Sequence, residues 1–268
     1  MAEYEIYQAD AFTGQVFRGN PAAYVPLTEW LPDEMLLAIA VENNLSETAY
    51  TLKKGPGHYD LRWFTPGAEV PLCGHATLVT SHLLYTEFGE TAETLIFETL
   101  SGPLHVSRDG DYYVMDFPAA NNFIEPHVDI AELTDVLGEA PVEVIEDNFV
   151  LAVFDTAEKL RALAPDLSRM MQLGTGIHKG CVLTTAPGDQ GYDFVSRLFA
   201  PGVGIPEDPV TGSAHCMTTP YWAGKLGKTS FKAWQASPRG GEVLCELKGD
   251  RVIMKGKAVT YMRGRITV

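Results

Sequence analysis

The sequence carries the same arrangement twice, and this internal repeat is the strongest constraint on its fold. Arg62-Trp63-Phe64-Thr65-Pro66-Gly67 runs on to Cys73-Gly74-His75-Ala76, and Arg197-Leu198-Phe199-Ala200-Pro201-Gly202 runs on to Thr211-Gly212-Ser213-Ala214. In each copy a strand-like segment, Tyr59 to Phe64 or Tyr192 to Phe199, enters a Pro-Gly turn, and a glycine then opens a mostly apolar run of helix length. The second copy has three more residues before its glycine, and they bring in Glu207 and Asp208. A glycine at a helix start lets a ligand approach the backbone, where free N–H groups and the helix dipole favour an anion. Two such ends facing each other would grip one small acid, so the site is expected there.

Bulk properties narrow the class of partner. A chain of 268 residues, 46% hydrophobic, is long enough for two modest domains or one large one with a proper core. A formal net charge of -15, with no run of Lys and Arg, opposes binding to nucleic acid or to anionic membrane surfaces. It does not oppose a small acidic metabolite, because helix ends and buried donors set the local potential. Cys73, Cys181, Cys216 and Cys245 form no Cys-x-x-Cys pair, which fits reduced thiols in a cytoplasm. The N-terminal residues do not read as a secretion signal, and no apolar run approaches a membrane span. The expectation is a cytoplasmic protein with a small-molecule partner.

Along the chain, Tyr4 to Ala9 alternates like an edge strand, and Phe17-Arg18-Gly19-Asn20-Pro21 turns into a second strand. Asn20 is either simple turn chemistry or a residue lining the site. Pro32 to Glu42 reads as a helix with Pro in the first turn and acids behind it. A β-like segment then begins with Glu47, which reads either as an exposed charge at a strand start or as a functional carboxylate. Gly74 to Phe88 is apolar on nearly all sides and belongs in the interior. Short alternating runs from Leu95 to Phe117 suggest a meander. In the second half, helices are expected from Ile130 to Leu137, closed by Gly138, and from Thr156 to about Ala164. The glycine-started run from Gly212 to Lys225 contains Pro220, where a kink is expected.

Several chemistries are disfavoured by spacing. Ser213 and His215 do not sit in the G-x-S-x-G elbow, and two residues apart on a helix they point to different faces. Cys73, His75, Asp208, His215 and Cys216 offer no metal-ligand spacing, and neither glycine start matches a Walker loop or G-x-G-x-x-G. No metal and no cofactor are expected. What remains is a carboxylate with two glycine helix starts, parts that suit proton transfer at a carbon next to an acid or imine.

These residues resemble a known family, the PhzF-like proteins of phenazine biosynthesis, within the diaminopimelate-epimerase-like fold. The likeness rests on Phe17-Arg18-Gly19-Asn20-Pro21-Ala22, Asn44-Leu45-Ser46-Glu47-Thr48-Ala49-Tyr50, Arg62-Trp63-Phe64-Thr65-Pro66, Cys73-Gly74-His75-Ala76-Thr77, Asp208-Pro209-Val210-Thr211-Gly212-Ser213-Ala214-His215 and Gln235-Ala236-Ser237-Pro238-Arg239-Gly240-Gly241. The resemblance implies an α+β protein of two similar halves, each a curled, mostly antiparallel, barrel-like sheet around a central buried helix. It places the active site in the cleft between them and implies a homodimer. The halves are expected at residues 1–120 and 121–268, with a final strand that can cross over to the first half.

By the same resemblance Glu47 is the acid/base of a cofactor-independent isomerase acting on a small carboxylate-bearing metabolite. Asn20, Cys73, Gly74, His75, Asp208, Gly212, Ser213 and Ala214 are the expected substrate-binding positions. Related epimerases use a cysteine from each half. Here the first of those positions is Cys73, but its counterpart is Thr211, which argues against a two-thiol mechanism. Two alternatives stay open: an amino-acid epimerase or racemase using Cys73, and a non-catalytic small-acid binding or protein-interaction module.

Overall fold

The computed structural model describes residues 1–174 and 179–268. The chain divides into two compact units, one of residues 1–116 with 255–268 and one of residues 117–254. Among the described residues no helix is long and apolar enough to cross a membrane.

In the first unit, β1 (Glu3–Ala11) pairs antiparallel with β2 (Asn20–Leu27). The turn between them depends on Gly19, which has φ 63°; a Cβ there would lie 2.0 Å from the Ala11 carbonyl oxygen. Helix α1 (Asp33–Asn43) carries the chain back so that β3 (Thr48–Gly55) lies parallel to β2. A parallel neighbour needs such a crossover, because a hairpin cannot reach it. β4 (His58–Phe64) returns antiparallel to β3, and the short β5 (Glu69–Val70) lies beside β4. Helix α2 (Gly74–Thr86) then crosses to β6 (Thr94–Glu98), parallel to β4. β7 (Leu104–Asp109) and β8 (Tyr112–Pro118) continue as the expected meander. The C-terminal strand, Ala258–Thr267, pairs with β1.

Helix α2 is buried from His75 to Tyr85 and packs against β1, β2, β3 and the C-terminal strand. Its polar residues are compatible with that interior because they are satisfied locally. Thr77, Thr80 and Ser81 donate to the carbonyls of Cys73, Ala76 and Thr77 at 2.6, 2.8 and 2.8 Å. His82 lies 3.0 Å from the Tyr113 hydroxyl and 2.9 Å from the Thr260 hydroxyl, one at each ring nitrogen.

In the second unit, α3 (Ile130–Leu137) is started by the Asp129 carboxylate, which accepts the Ala131 and Glu132 N–H groups, and is ended by Gly138 at φ 75°. β9 (Glu143–Glu146) pairs antiparallel with β10 (Val150–Val153). Helices α4 (Ala157–Ala162) and α5 (Leu167–Met170) lie on the way to β11 (Val182–Pro187), which is parallel to β10. β12 (Phe194–Ala200) returns antiparallel, the short β13 (Ile205–Asp208) lies beside it, and α6 (Gly212–Leu226) crosses to β14 (Ser230–Gln235), parallel to β12. β15 (Gly241–Lys248) pairs with β14 and β16 (Arg251–Gly256) follows. The succession of pairings from β10 to β14 is the one seen from β2 to β6.

Helix α6 runs through Pro220 as one element. Pro220 has no N–H for the Cys216 carbonyl, and that carbonyl instead accepts the Ala120 N–H at 2.9 Å. Leu133, Phe154, Leu160, Val195 and Phe199 belong to the core of this unit, and Val25, Leu36, Tyr50 and Phe64 to that of the first.

Candidate active site

Three of the anticipated residues come together in the first unit. Glu47 precedes β3, where its carbonyl accepts the Ala23 N–H at 3.1 Å and so joins the β2–β3 pairing. Cys73, still extended at φ -147°, is the last residue before α2, which places Cys73 and His75 at the helix start. The Cys73 Sγ lies 3.5 Å from His75 Nδ1, and the Glu47 Oε2 lies 3.0 Å from His75 Nε2. The imidazole thus stands between thiol and carboxylate. The Glu47 and His75 atoms are close but out of line for a hydrogen bond, and both are shut off from solvent with no other hydrogen-bond partner. The side chains of His75 and Glu47 are 7% and 12% exposed, so this is a buried charge pair with unused hydrogen-bonding capacity.

The electrostatics follow from that packing. Burial alone would push the His75 imidazolium down, but the Cys73 sulfur and the Glu47 carboxylate outweigh it and hold the ring well above its ordinary value. Burial first, and the Glu47 charge second, push the Cys73 thiol up; His75 and the Ala76 N–H pull the other way and lose. The donor atoms of Glu47, Cys73 and His75 all lie within 4.8 Å of one another. Carboxylate and thiol nevertheless meet different ring nitrogens, an arrangement suited to moving protons rather than to ligands converging on one cation.

Asn20 is fully buried as the first residue of β2, three positions before Ala23, the residue that pairs with Thr48 next to Glu47. Gly74, the first residue of α2, is half-buried.

The other anticipated residues sit at the start of α6 in the second unit. Gly212 and Ala214 are buried and Ser213 is exposed. Asp208 is buried and its carboxylate accepts a hydrogen bond from the Thr211 hydroxyl. That loop is held by Gln235, a residue to which the sequence assigned no role. Its Oε1 accepts the Thr211 N–H at 2.8 Å, and its Nε2 donates to the Asp208 carbonyl at 2.9 Å and to the Thr211 hydroxyl at 3.1 Å. Ser237 donates to the Pro209 carbonyl at 2.7 Å, and the Gly240 N–H donates to Ser237 at 3.0 Å. The Gln235 to Gly241 motif is therefore a brace for the Asp208–Thr211 loop. A Gln235→Leu substitution should cost about 1–3 kcal/mol for the orphaned N–H and carbonyl, read as a lower midpoint in thermal or urea unfolding.

His215 takes no part in a serine dyad, since Ser213 is exposed while His215 is fully buried. Its Nδ1 donates to the Thr211 carbonyl at 2.8 Å, which fixes the tautomer and leaves Nε2 as a buried acceptor. Burial pushes both His215 and His82 down to about 4, so both rings fold neutral. An unfolded histidine takes its proton near pH 6.5, so between about 6.5 and about 4 the unfolded chain binds protons that the folded one refuses. The stability due to these rings is whole above that window and falls with acid, by about 1.4 kcal/mol per pH unit per ring. NMR titration should show two rings changing near pH 4 and His75 still protonated above its ordinary midpoint.

The repeat arginines take corresponding partners. Arg62 forks onto Glu69 at 2.7 and 2.7 Å, and Arg197 forks onto Glu207 at 2.7 and 3.0 Å. Glu207 is thereby committed to Arg197.

Solved structures first define the class. A hydroxyproline epimerase from Agrobacterium vitis, solved with bound trans-4-hydroxy-L-proline, is similar over 98% of this chain and 92% of its own, with a TM-score of 0.57 and 11% identity. That likeness shows an epimerase-like α+β fold. The pattern of the phenazine biosynthesis-like (PhzC-PhzF) family matches residues 9–264, and the chain belongs to this family. A PhzF-family protein from Enterococcus faecalis has a TM-score of 0.90 and 42% identity, with 100% of both chains covered. An uncharacterized isomerase of Pseudomonas aeruginosa is 47% identical over 264 residues, covering 98% of this chain and 99% of its own.

Proposed function

We propose that the chain is a cofactor-independent isomerase in which Glu47 moves a proton on a small carboxylate-bearing metabolite. The observation that carries this reading is the Glu47 carboxylate itself, largely buried, 3.0 Å from a His75 ring at the start of α2. A carboxylate in that setting is anchored by imidazole and helix dipole, and a base so placed can take a proton from carbon and give it back. The isomerase name borne by the Pseudomonas aeruginosa relative supports the same class. Asn20, Cys73, Gly74 and His75 are proposed as substrate-binding positions around Glu47. Asp208, Gly212, Ser213 and Ala214 are proposed as a second set, since the α6 start offers N–H groups to an acid group.

Two-thiol epimerisation has less support, because Thr211 stands where the second sulfur would be and Cys216, one turn along α6, is buried with its thiol pushed up to about 12. A binding module without turnover would also keep these side chains. The test is deuterium entry from heavy water into a panel of cyclic and amino-acid carboxylates, followed by proton NMR. Uptake into a panel member at carbon supports the isomerase. Binding of panel members, seen as thermal stabilisation, with no uptake into any of them supports the binding module.

A further inference from the structure

Helix α6 rests on a row of buried polar side chains that the proposed chemistry does not use. Thr185, Ser196 and Gln235 stand side by side on β11, β12 and β14, with Ser196 paired to each of the other two, and all three are fully buried. Arg197 leaves β12 toward the carbonyls at the end of α4, so Ser196 points to the opposite face, as Phe194 does. That face lies under α6, since the Phe194 ring is 6.1 Å from His215 and 6.0 Å from Trp222. Gln235, beside Ser196, holds Thr211, whose carbonyl in turn holds the His215 ring. Ser196 is thereby placed beneath the first turns of α6, with the Thr211–His215 stretch above it.

Two of the atoms here, the Ser196 hydroxyl and His215 Nε2, are buried and have no hydrogen-bond partner in the protein. Their neighbours are engaged elsewhere. Thr185 Oγ1 donates to the Val195 carbonyl at 2.8 Å and accepts the Trp222 indole N–H at 2.9 Å, while Gln235 holds the Asp208–Thr211 loop. His215 Nε2 can only accept, because Nδ1 carries the proton that goes to Thr211. Leaving both atoms bare would cost stability. The serine side chain is also far shorter than that of Phe194, which reaches the helix from the same face, so room is left between hydroxyl and ring.

We infer that one water molecule is bound in the core of the second unit, between the Ser196 hydroxyl and His215 Nε2. Donors and acceptors then balance. The water accepts the Ser196 O–H, donates one hydrogen to Nε2 and gives the other to the second lone pair of Thr185 Oγ1 or Gln235 Oε1. Three such bonds are typical of a buried water. An ammonium ion could not accept the Ser196 hydrogen, and an anion would meet the Nε2 lone pair, so the site suits a small neutral molecule that both donates and accepts. This water ties β12 to the ring that holds the Thr211 carbonyl, beneath the helix start proposed for an acid group. The inference does not depend on the role of Glu47.

The test is proton NMR on the intact chain in ordinary water, following magnetisation transfer from water to the carbon-bound protons of the His215 ring. Those protons lie on either side of Nε2 and do not themselves exchange. His215→Asn assigns their signals by removing them. The wild type and Ser196→Ala should both show the transfer, since alanine leaves the space and the ring nitrogen in place. Ser196→Val, whose methyl groups fill that space, should lose it. Absence of transfer in the wild type would overturn the inference. Transfer already lost in Ser196→Ala would overturn it as well, because it would then have passed through a serine hydroxyl bonded directly to the ring. Transfer that persists in folded Ser196→Val would put the water somewhere else and overturn the assignment. Should Ser196→Val not fold, the wild type and Ser196→Ala decide the matter by themselves.

Discussion

Replacing Arg197 by Ala is expected to destabilise the second unit by about 3–5 kcal/mol, the loss typical of a buried pair broken on one side. Arg197 is 8% exposed and makes five hydrogen bonds: two to Glu207, and three from Nη1 to the carbonyls of Leu160, Arg161 and Leu163 at 3.2, 3.3 and 2.8 Å. Removing it strands a carboxylate and the C-terminal carbonyls of α4 together. A lysine cannot fork onto Glu207 and reach those carbonyls at once, so Arg197→Lys should recover only part of the loss. The corresponding Arg62→Ala should cost much less. Arg62 has a side chain 21% exposed, it shares its charge with the exposed Asp33, and water can replace its contacts. Urea unfolding of the two variants side by side checks the difference.

That contrast shows what could and could not be read from the sequence. The repeat around the two arginines was visible, and Gly74 and Gly212 do open α2 and α6. The end of α3 was visible because Gly138 is a local signal that acts on its own backbone. The fate of Glu207 and Asp208 was not. They are neighbours in sequence and were noted together, but successive residues of a strand face opposite sides, so Glu207 goes to Arg197 and Asp208 to Thr211. Arg197 itself stands in a strand that is apolar but for it and Ser196, where nothing local announces a buried ion pair. Gln235 was seen only as the first residue of a motif, since its partners lie across a loop that only the packing of α6 and β14 brings near. Glu47, Cys73 and His75 were each noted, but the ring standing between the other two is a product of tertiary structure. The four-residue α5 left no periodic signal at all.

The second large effect is on chemistry rather than stability. Glu47→Gln keeps the size and shape of the side chain and removes its capacity to take a proton. General base catalysis contributes about 10²–10⁴-fold, so proton transfer should fall by that factor. The fold should survive, because the backbone link from Glu47 to Ala23 is unchanged and no other hydrogen bond to its Oε2 is lost. The thermal midpoint of the variant should fall, since His75 loses the carboxylate that helps hold its charge, but the variant should stay folded at the assay temperature while proton transfer drops by that factor. His75 should respond as well. Without the carboxylate at 3.0 Å its ring loses a charge that helps hold it protonated, and its NMR titration should move downward.

The most direct measurement is proton NMR in heavy water with wild type and Glu47→Gln in parallel, following deuterium entry into cyclic and amino-acid carboxylates. The account predicts uptake at a single carbon position of one compound class in the wild type and a loss of about 10²-fold or more in the variant. Uptake at the wild-type rate in folded Glu47→Gln would contradict it and move the base elsewhere in the site.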